Sequence, residues 1–456
     1  MADSRSTNES AQERQGAEQR LDARRMLLVG ATLFSMFFGA GNLILPPLLG
    51  AQAGVDALPA LVGFLVTAIG FPVLGIVAVA LAGDIQQLAG RVSGWFAKLF
   101  AILVYLAIGP CLAIPRTSST AFEMLVPLLP EGTPVMAVSI AFSVAFFAAA
   151  FALALRPGKL RNVLGRVSAP ALIVLIVCVV ASSVVAPMGG AQPAVAPYTA
   201  VPAVQGFING YQTMDLLAAL CFGIVISMNV RDMGVTKPSG VAFEISRAGV
   251  VAGVLMLLIY CGLGYVGVVT GAAVPGAQNG AQLLTAAATG HFGLVGTVIV
   301  AAIFLIACLN VCTGLISSCA SFFSETFPRV PYVAWATVFA VFSCAVSNFG
   351  LTAIIAFSVP LLNALYPVAI VLVVMGMFAY AVDRVPQVWK WVVALVGVES
   401  VVVSLRDALA AGAWLPFDML PLADLGLSWV VPAVVGVLAG LVHAMLARKS
   451  ARGAVG

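Results

Sequence analysis

Two polar clusters interrupt stretches of this chain that are otherwise apolar, and their residue types suit the holding of ions and small polar groups rather than bond-breaking. The first runs Ser35-Met36-Phe37-Phe38-Gly39-Ala40-Gly41-Asn42 and continues Leu43-Ile44-Leu45-Pro46-Pro47. Two glycines, an asparagine and a proline pair in so short a space favour local unwinding of a helix. The second, Asn209-Gly210-Tyr211-Gln212-Thr213-Met214-Asp215, places polar side chains and a glycine directly before Leu216. Its Asp215 could attract a cation or the amino group of a bound molecule, serve as a protonatable coupling group, or cap the helix that resumes after it. A third set, Asn310, Thr313, Ser317 and Ser318, offers hydroxyl and carbonyl oxygens, and Thr313 and Ser317 are four apart on one helix face. Such oxygens are hard ligands that suit an alkali or other hard cation, although Ser and Thr also back-bond within membrane helices.

The elements that carry these clusters are set by composition. Of the 456 residues, 62% are hydrophobic and only 9% charged, where a soluble domain is about 25% charged. The mean hydropathy is +1.09. A surface this poor in charge excludes a soluble enzyme, a nucleic-acid binder and a disordered scaffold. The chain reads as an all-α polytopic membrane protein. Runs of about 20 apolar residues, the length that crosses a bilayer, fall at 26–50, 57–82, 96–122, 134–155, 168–187, 206–230, 248–270, 293–322, 332–347, 352–380, 388–405 and 428–447. Twelve crossings put both termini in the cytosol. On that layout 20 of the 22 basic residues face inward, and only Arg116 and Arg406 lie on the outer side. Arg116, beside Pro115, reads as an interfacial snorkelling residue. Residues 1–25 read as a polar cytosolic tail without a signal peptide, and 448–456 as a second tail.

The breaks fall in segments 1 and 6, which correspond if the chain is a five-plus-five repeat. An odd number of helices per repeat inverts the second copy, with halves at 26–190 and 191–380 and two extra helices over 381–447. Irregular backbone at membrane depth survives only where it is buried or lines a water-filled cavity. Paired interruptions in matching positions point to a transporter's binding site. A mid-span carboxylate costs about 2.5–3.5 kcal/mol on insertion scales, so Asp215 should face the bundle interior. Glu399, in segment 11, lies outside the repeat and reads as a packing or interface residue. The eight cysteines fall in apolar runs and read as small fillers. Gly249 with Gly253, and Gly436 with Gly440, have the spacing of close helix contacts, within or between subunits. With two histidines, no G-x-S-x-G and no Walker A sequence, no familiar hydrolytic constellation is present. Uphill transport would therefore draw on an ion gradient.

The string Phe37-Phe38-Gly39-Ala40-Gly41-Asn42-Leu43-Ile44-Leu45-Pro46-Pro47 resembles the signature of the bacterial branched-chain amino acid:cation symporters, the LIV-II carriers. Gly210-Tyr211-Gln212-Thr213-Met214-Asp215 resembles the segment 6 motif of the same family, and Thr313-Gly314-Leu315-Ile316-Ser317-Ser318 with Phe322-Phe323 fits as well. The resemblance spans roughly 26–447. It implies a LeuT-type fold, no cofactor beyond a coupling cation (sodium, with protons the other candidate), and import of leucine, isoleucine and valine across a bacterial inner membrane. A same-fold carrier of another amino acid or a nucleobase is the alternative. By position, Gly39, Ala40, Gly41 and Asn42 would meet the substrate carboxylate, and Tyr211, Thr213, Met214 and Asp215 would face the substrate from segment 6. Ser35 and Phe38, through carbonyls, with Thr313 and Ser317 would hold sodium. Ile316 stands where related carriers often have a second hydroxyl, which turns the shell toward Ser318 or Thr313.

Overall fold

The computed structural model describes residues 20–130, 132–156, 166–410 and 412–453. Most of the polar tail, with Arg5 and Arg14, lies outside the described residues, as do Lys159, Arg161 and residues 454–456. The described chain is helical, with no strand among those residues. In order, the principal helices are α1 (Ala23–Phe37), α2 (Ala40–Ala53), α3 (Ala57–Leu65), α4 (Phe71–Ala82), α5 (Gly94–Leu106), α6 (Ala113–Glu123), α7 (Val135–Ala154), α8 (Ala169–Val185) and α9 (Pro202–Tyr211). They continue as α10 (Asp215–Asp232), α11 (Pro238–Thr270), α12 (Gly280–Phe292), α13 (Leu294–Thr326), α14 (Tyr332–Ser347), α15 (Leu351–Met377), α16 (Gln387–Leu409) and α17 (Val430–Gly453).

By length and composition, nine of the described helical stretches can cross a bilayer, or ten if the bent pair α9 and α10 counts as one. Helices rich in Val, Leu, Ile and Phe leave many of those side chains on the outer surface, as lipid-facing helices do. Two expected spans are less regular than their apolar runs suggest. Residues Val66–Gly70 form a π-helical turn between α3 and α4. Residues Ala107–Cys111 form another between α5 and α6, where Gly109 leaves helical geometry (φ −76°, ψ −119°) one residue before Pro110. The weakly apolar stretch over 271–292 holds a helix of its own, α12.

Small residues let backbones meet at the interior. A Cβ on Gly267 of α11 would lie 1.9 Å from the Pro47 carbonyl oxygen, so α2 and α11 can touch only through glycine. Both small-residue pairs singled out from the sequence serve contacts within this chain. Gly249 and Gly253 receive Ile76 and Val73 of α4, while Gly436 and Gly440 lie against Val392 and Val388 of α16. Helices α1, α2 and α10 pack against α11 and α13, and α10 also against α4, while α9 packs against α3.

Candidate functional site

The first interruption is two residues long. Phe38 (φ −76°, ψ 89°) and the extended Gly39 separate α1 from α2. Asn42 stabilises the restart by accepting the Gly39 N–H on its Oδ1 at 3.1 Å, so a side chain from the first turn satisfies one of the backbone donors left open at a helix start. Further along, Pro46 and Pro47 lack the N–H groups that would bond the carbonyls of Asn42 and Leu43. The start of α2 therefore presents free donors, and its first turn carries carbonyls relieved of their usual partners.

The second interruption covers Gln212, Thr213 and Met214. Helix α9 persists through Tyr211, later than the polar run suggests, and α10 leaves at 40° to it. Met214 takes a left-handed conformation (φ 65°, ψ 7°), which costs a non-glycine residue about 1–2 kcal/mol and is typical of ligand-binding sites. The two interruptions meet. A Cβ on Gly41 would lie 3.4 Å from the Gln212 carbonyl oxygen and 3.5 Å from Thr213 Cα. Across this seam Asn42 Nδ2 donates to Asp215 Oδ2 at 2.5 Å, and Tyr260 of α11 donates to the same oxygen at 3.3 Å. Asn42 also bonds the Tyr260 hydroxyl. The Asp215 carboxylate thus reaches across to α2 and α11 instead of capping its own helix, and it is buried.

These groups open on a cavity of about 40 Å3. Of the candidate substrate residues, Gly39, Ala40, Gly41, Asn42, Thr213, Met214 and Asp215 line it; Tyr211 does not. The remaining walls are largely aliphatic, with Met36, Ile108, Ala113, Ala218, Val311 and Leu315. Arg116 of α6 also lines the cavity. It is 7% exposed, and its Nε is buried without a hydrogen-bond partner among the described residues. The snorkelling role expected from sequence is therefore wrong: the kink at Gly109–Pro110 turns the start of α6, and with it Arg116, toward the interior. Arg116 and Tyr260 are the site residues that the sequence reading missed. Arg116 had a signal, being one of two basic residues that break the charge pattern of the expected twelve-span layout; Tyr260 had none.

The proposed cation ligands do not share this cavity. Ser35, Thr313, Ser317 and Ser318 are buried, on α1 and α13, which pack together with Gly314 against Met36. Thr313 donates to the Leu309 carbonyl at 2.6 Å, the back-bonding that membrane helices commonly show, while Ser318 Oγ has no partner among the described residues. Phe38 lies at the break itself, its ring stacked on Phe34. Tyr211 is the last residue of α9, directly before the second break, and stacks on Tyr366 with centroids 4.8 Å apart. There it lines a separate cavity of about 220 Å3 with Glu399, Arg406, Asp418 and Trp429. In that cavity Glu399 is bonded by Ser428, and Arg406 pairs with Asp418 and Asp407 at 2.5 and 2.9 Å.

Comparison with known proteins decides the family. The family described as branched-chain amino acid transport protein matches residues 22–447. The chain belongs to this family. It is 36% identical over 431 residues to the branched-chain amino acid permease BraB of Bacillus subtilis, covering 92% of this chain and 96% of that protein. It is 38% identical over 422 residues to the branched-chain amino acid transport system 2 carrier protein of Pseudomonas aeruginosa, covering 91% and 95%. This family member is accordingly a multi-pass membrane transporter and not an enzyme. Among solved structures it resembles Mhp1, a nucleobase-cation-symport-1 family transporter, with a TM-score of 0.54 at 14% identity, covering 92% of this chain and 91% of that one. A manganese transporter of Eremococcus coleocola gives 0.55 at 15% identity, covering 92% and 94%. The three share the LeuT-type fold.

Proposed function

We propose that this transporter imports leucine, isoleucine and valine across a bacterial inner membrane by alternating access, driven by an inward sodium or proton gradient. One observation carries the reading: two broken helices face each other and are tied by the Asn42–Asp215 bond, beside a cavity whose other walls are mainly aliphatic. Free backbone donors at the start of α2 suit a carboxylate. The Asp215 carboxylate suits an ammonium group or the coupling cation, and the aliphatic walls suit a branched side chain. One methylene in such a pocket is worth only about 1–3 kcal/mol, so all three amino acids should enter with unequal affinity. The buried oxygens of Ser35, Thr313, Ser317 and Ser318, with the Phe38 carbonyl, are the proposed cation set in the seam of α1 and α13. In this reading the chain makes twelve crossings, the halves over 26–190 and 191–380 are inverted repeats, helices over 381–447 complete the body, and both tails lie in the cytosol.

A cavity of 40 Å3 is about the size of one water molecule's share of the liquid, so admitting an amino acid requires its walls to move. Uptake of labelled leucine into proteoliposomes under sodium, lithium and proton gradients tests the proposal. Accumulation should follow one of the cation gradients and be competed by isoleucine and valine. Leucine entry indifferent to every gradient would remove the coupling, and no entry of any of the three would remove the substrate assignment.

A further inference from the structure

The central cavity is lined by one basic and one acidic residue that form no ion pair with each other. Arg116 and Asp215 both line it. Yet among the described residues the ion pairs are those of Arg25, Arg91, Arg247 and Arg406, and Arg116 is in none of them. Asp215 is engaged by the neutral donors Asn42 and Tyr260. A guanidinium stays protonated in proteins, and a charge withdrawn from water without a counter-ion is strongly disfavoured. Arg116 is also held in place. Its N–H donates to the Leu112 carbonyl at 3.2 Å, restarting the helix after the kink, and its own carbonyl accepts the Thr120 hydroxyl at 2.8 Å. Its neighbours Ala113 and Thr117 line the same cavity, so this face of α6 is the wall opposite the broken helices.

We infer that Arg116 is the substrate-binding residue that receives the carboxylate, so that Arg116 and Asp215 together select for a zwitterion. The inference rests on the transport reading above and adds a residue to it. An α-amino acid carries its ammonium and carboxylate groups on one carbon, so a single small molecule presents an opposite charge to each wall. The planar guanidinium matches a carboxylate with two parallel hydrogen bonds. The free donors at the start of α2 then share the carboxylate with Arg116 instead of binding it alone.

The test uses the purified full-length transporter and the binding of leucine, of leucinamide (which keeps the ammonium and loses the carboxylate charge) and of 4-methylpentanoate. In the wild-type protein leucinamide should bind about a hundredfold more weakly than leucine, equivalent to roughly 2.8 kcal/mol at 1.4 per decade. R116Q should weaken leucine about a hundredfold while leaving leucinamide unmoved, and R116K, which keeps the charge but loses the fork, should weaken leucine about tenfold. A purely structural arginine would move both ligands together. Leucine binding to R116Q at wild-type affinity, or leucinamide matching leucine on the wild type, would overturn the inference. Should R116Q not fold, R116K and the wild-type ligand ratio decide the matter. Failure of the transport reading looks different: the wild type then binds none of leucine, isoleucine and valine, and the inference falls with it.

Discussion

The two cavities that flank the second break, the central one and the outer one lined by Tyr211, handle charge in opposite ways. In the outer one, Arg406 is shared between Asp418 and Asp407, and Glu399 is bonded by Ser428, so each charge is answered by a neighbour in the chain. In the central one, among the described residues, Arg116 has no counter-ion and Asp215 has only neutral donors. A buried charge that the chain leaves unanswered is one that something else must answer. The contrast separates a region whose polar groups tie α16 to the connection that follows it from one whose polar groups, in the transport reading, are kept for a passenger. It also explains why the outer cavity, although larger, is the weaker candidate.

The largest expected effect comes from breaking the central side of this contrast. D215N keeps the shape of the side chain but removes the charge that faces Asn42 and Tyr260. Loss of a charged hydrogen bond is worth about 1.5–3 kcal/mol, so leucine uptake should fall by roughly tenfold to a hundredfold. The direction of selectivity sharpens the point. With Arg116 then the sole charge in the cavity, the preference for leucine over 4-methylpentanoate should shrink, the mirror image of what R116Q does to leucinamide. Binding assays with the two ligands check this, and an unchanged ligand ratio in D215N would separate Asp215 from substrate recognition.

A smaller effect follows from the way the first break is packed. A Cβ on Gly39 would lie 2.9 Å from Val311 Cγ2, and Val311 is a cavity wall. G39A should therefore push Val311 inward and narrow the space, at the roughly 1–3 kcal/mol typical of overpacking, which raises the KM for leucine by about tenfold. Adding V311A removes the obstructing methyl groups and should recover most of the loss. Uptake kinetics of the single and double variants read this coupling. If V311A gives no recovery, Gly39 acts through its backbone geometry and not through the wall.

Much of the site was legible because the interruptions violate what a membrane helix otherwise requires. Gly39, Gly41, Asn42 and the proline pair stand out of an apolar run, and so do Gln212 to Asp215; both breaks occur there. What remained hidden depends on direction, not on composition. Tyr211 belongs to the same polar string as Thr213, but it closes α9 before the chain turns, so its ring stacks on Tyr366 of α15 and faces the outer cavity. Arg116 was misread because the kink at Gly109 and Pro110 turns the rest of the span inward, and a run of apolar letters does not reveal that turn. Tyr260 is an aromatic residue in a long apolar helix, and only the fold brings its hydroxyl to Asp215. The close helix contacts at Gly249 and Gly436 were readable as spacing, while the partner helices were not.

The smallest effect is expected where the contrast predicts none on transport. Asp418 lies outside the membrane-spanning helices. Its carboxyl is held below the ordinary carboxylate range, first by the Leu415 N–H, which it accepts at 2.8 Å, and then by Arg406. A carboxyl with a lowered folded-state value adds stability that is present above the ordinary value and is lost as pH falls through the lowered one. Between about pH 5 and 8 the Asp418 carboxylate is therefore ionised throughout, and its bond to Arg406 contributes no pH dependence. D418N should leave leucine KM within about twofold of wild type, as expected for an ion pair at the water-facing edge. The same substitution should lower the thermal stability of the purified protein only slightly, and equally across that pH range. If instead D418N altered KM as strongly as G39A, the charges of the outer cavity would also act on the substrate, and the division between a structural cavity and a receiving one would have to be redrawn.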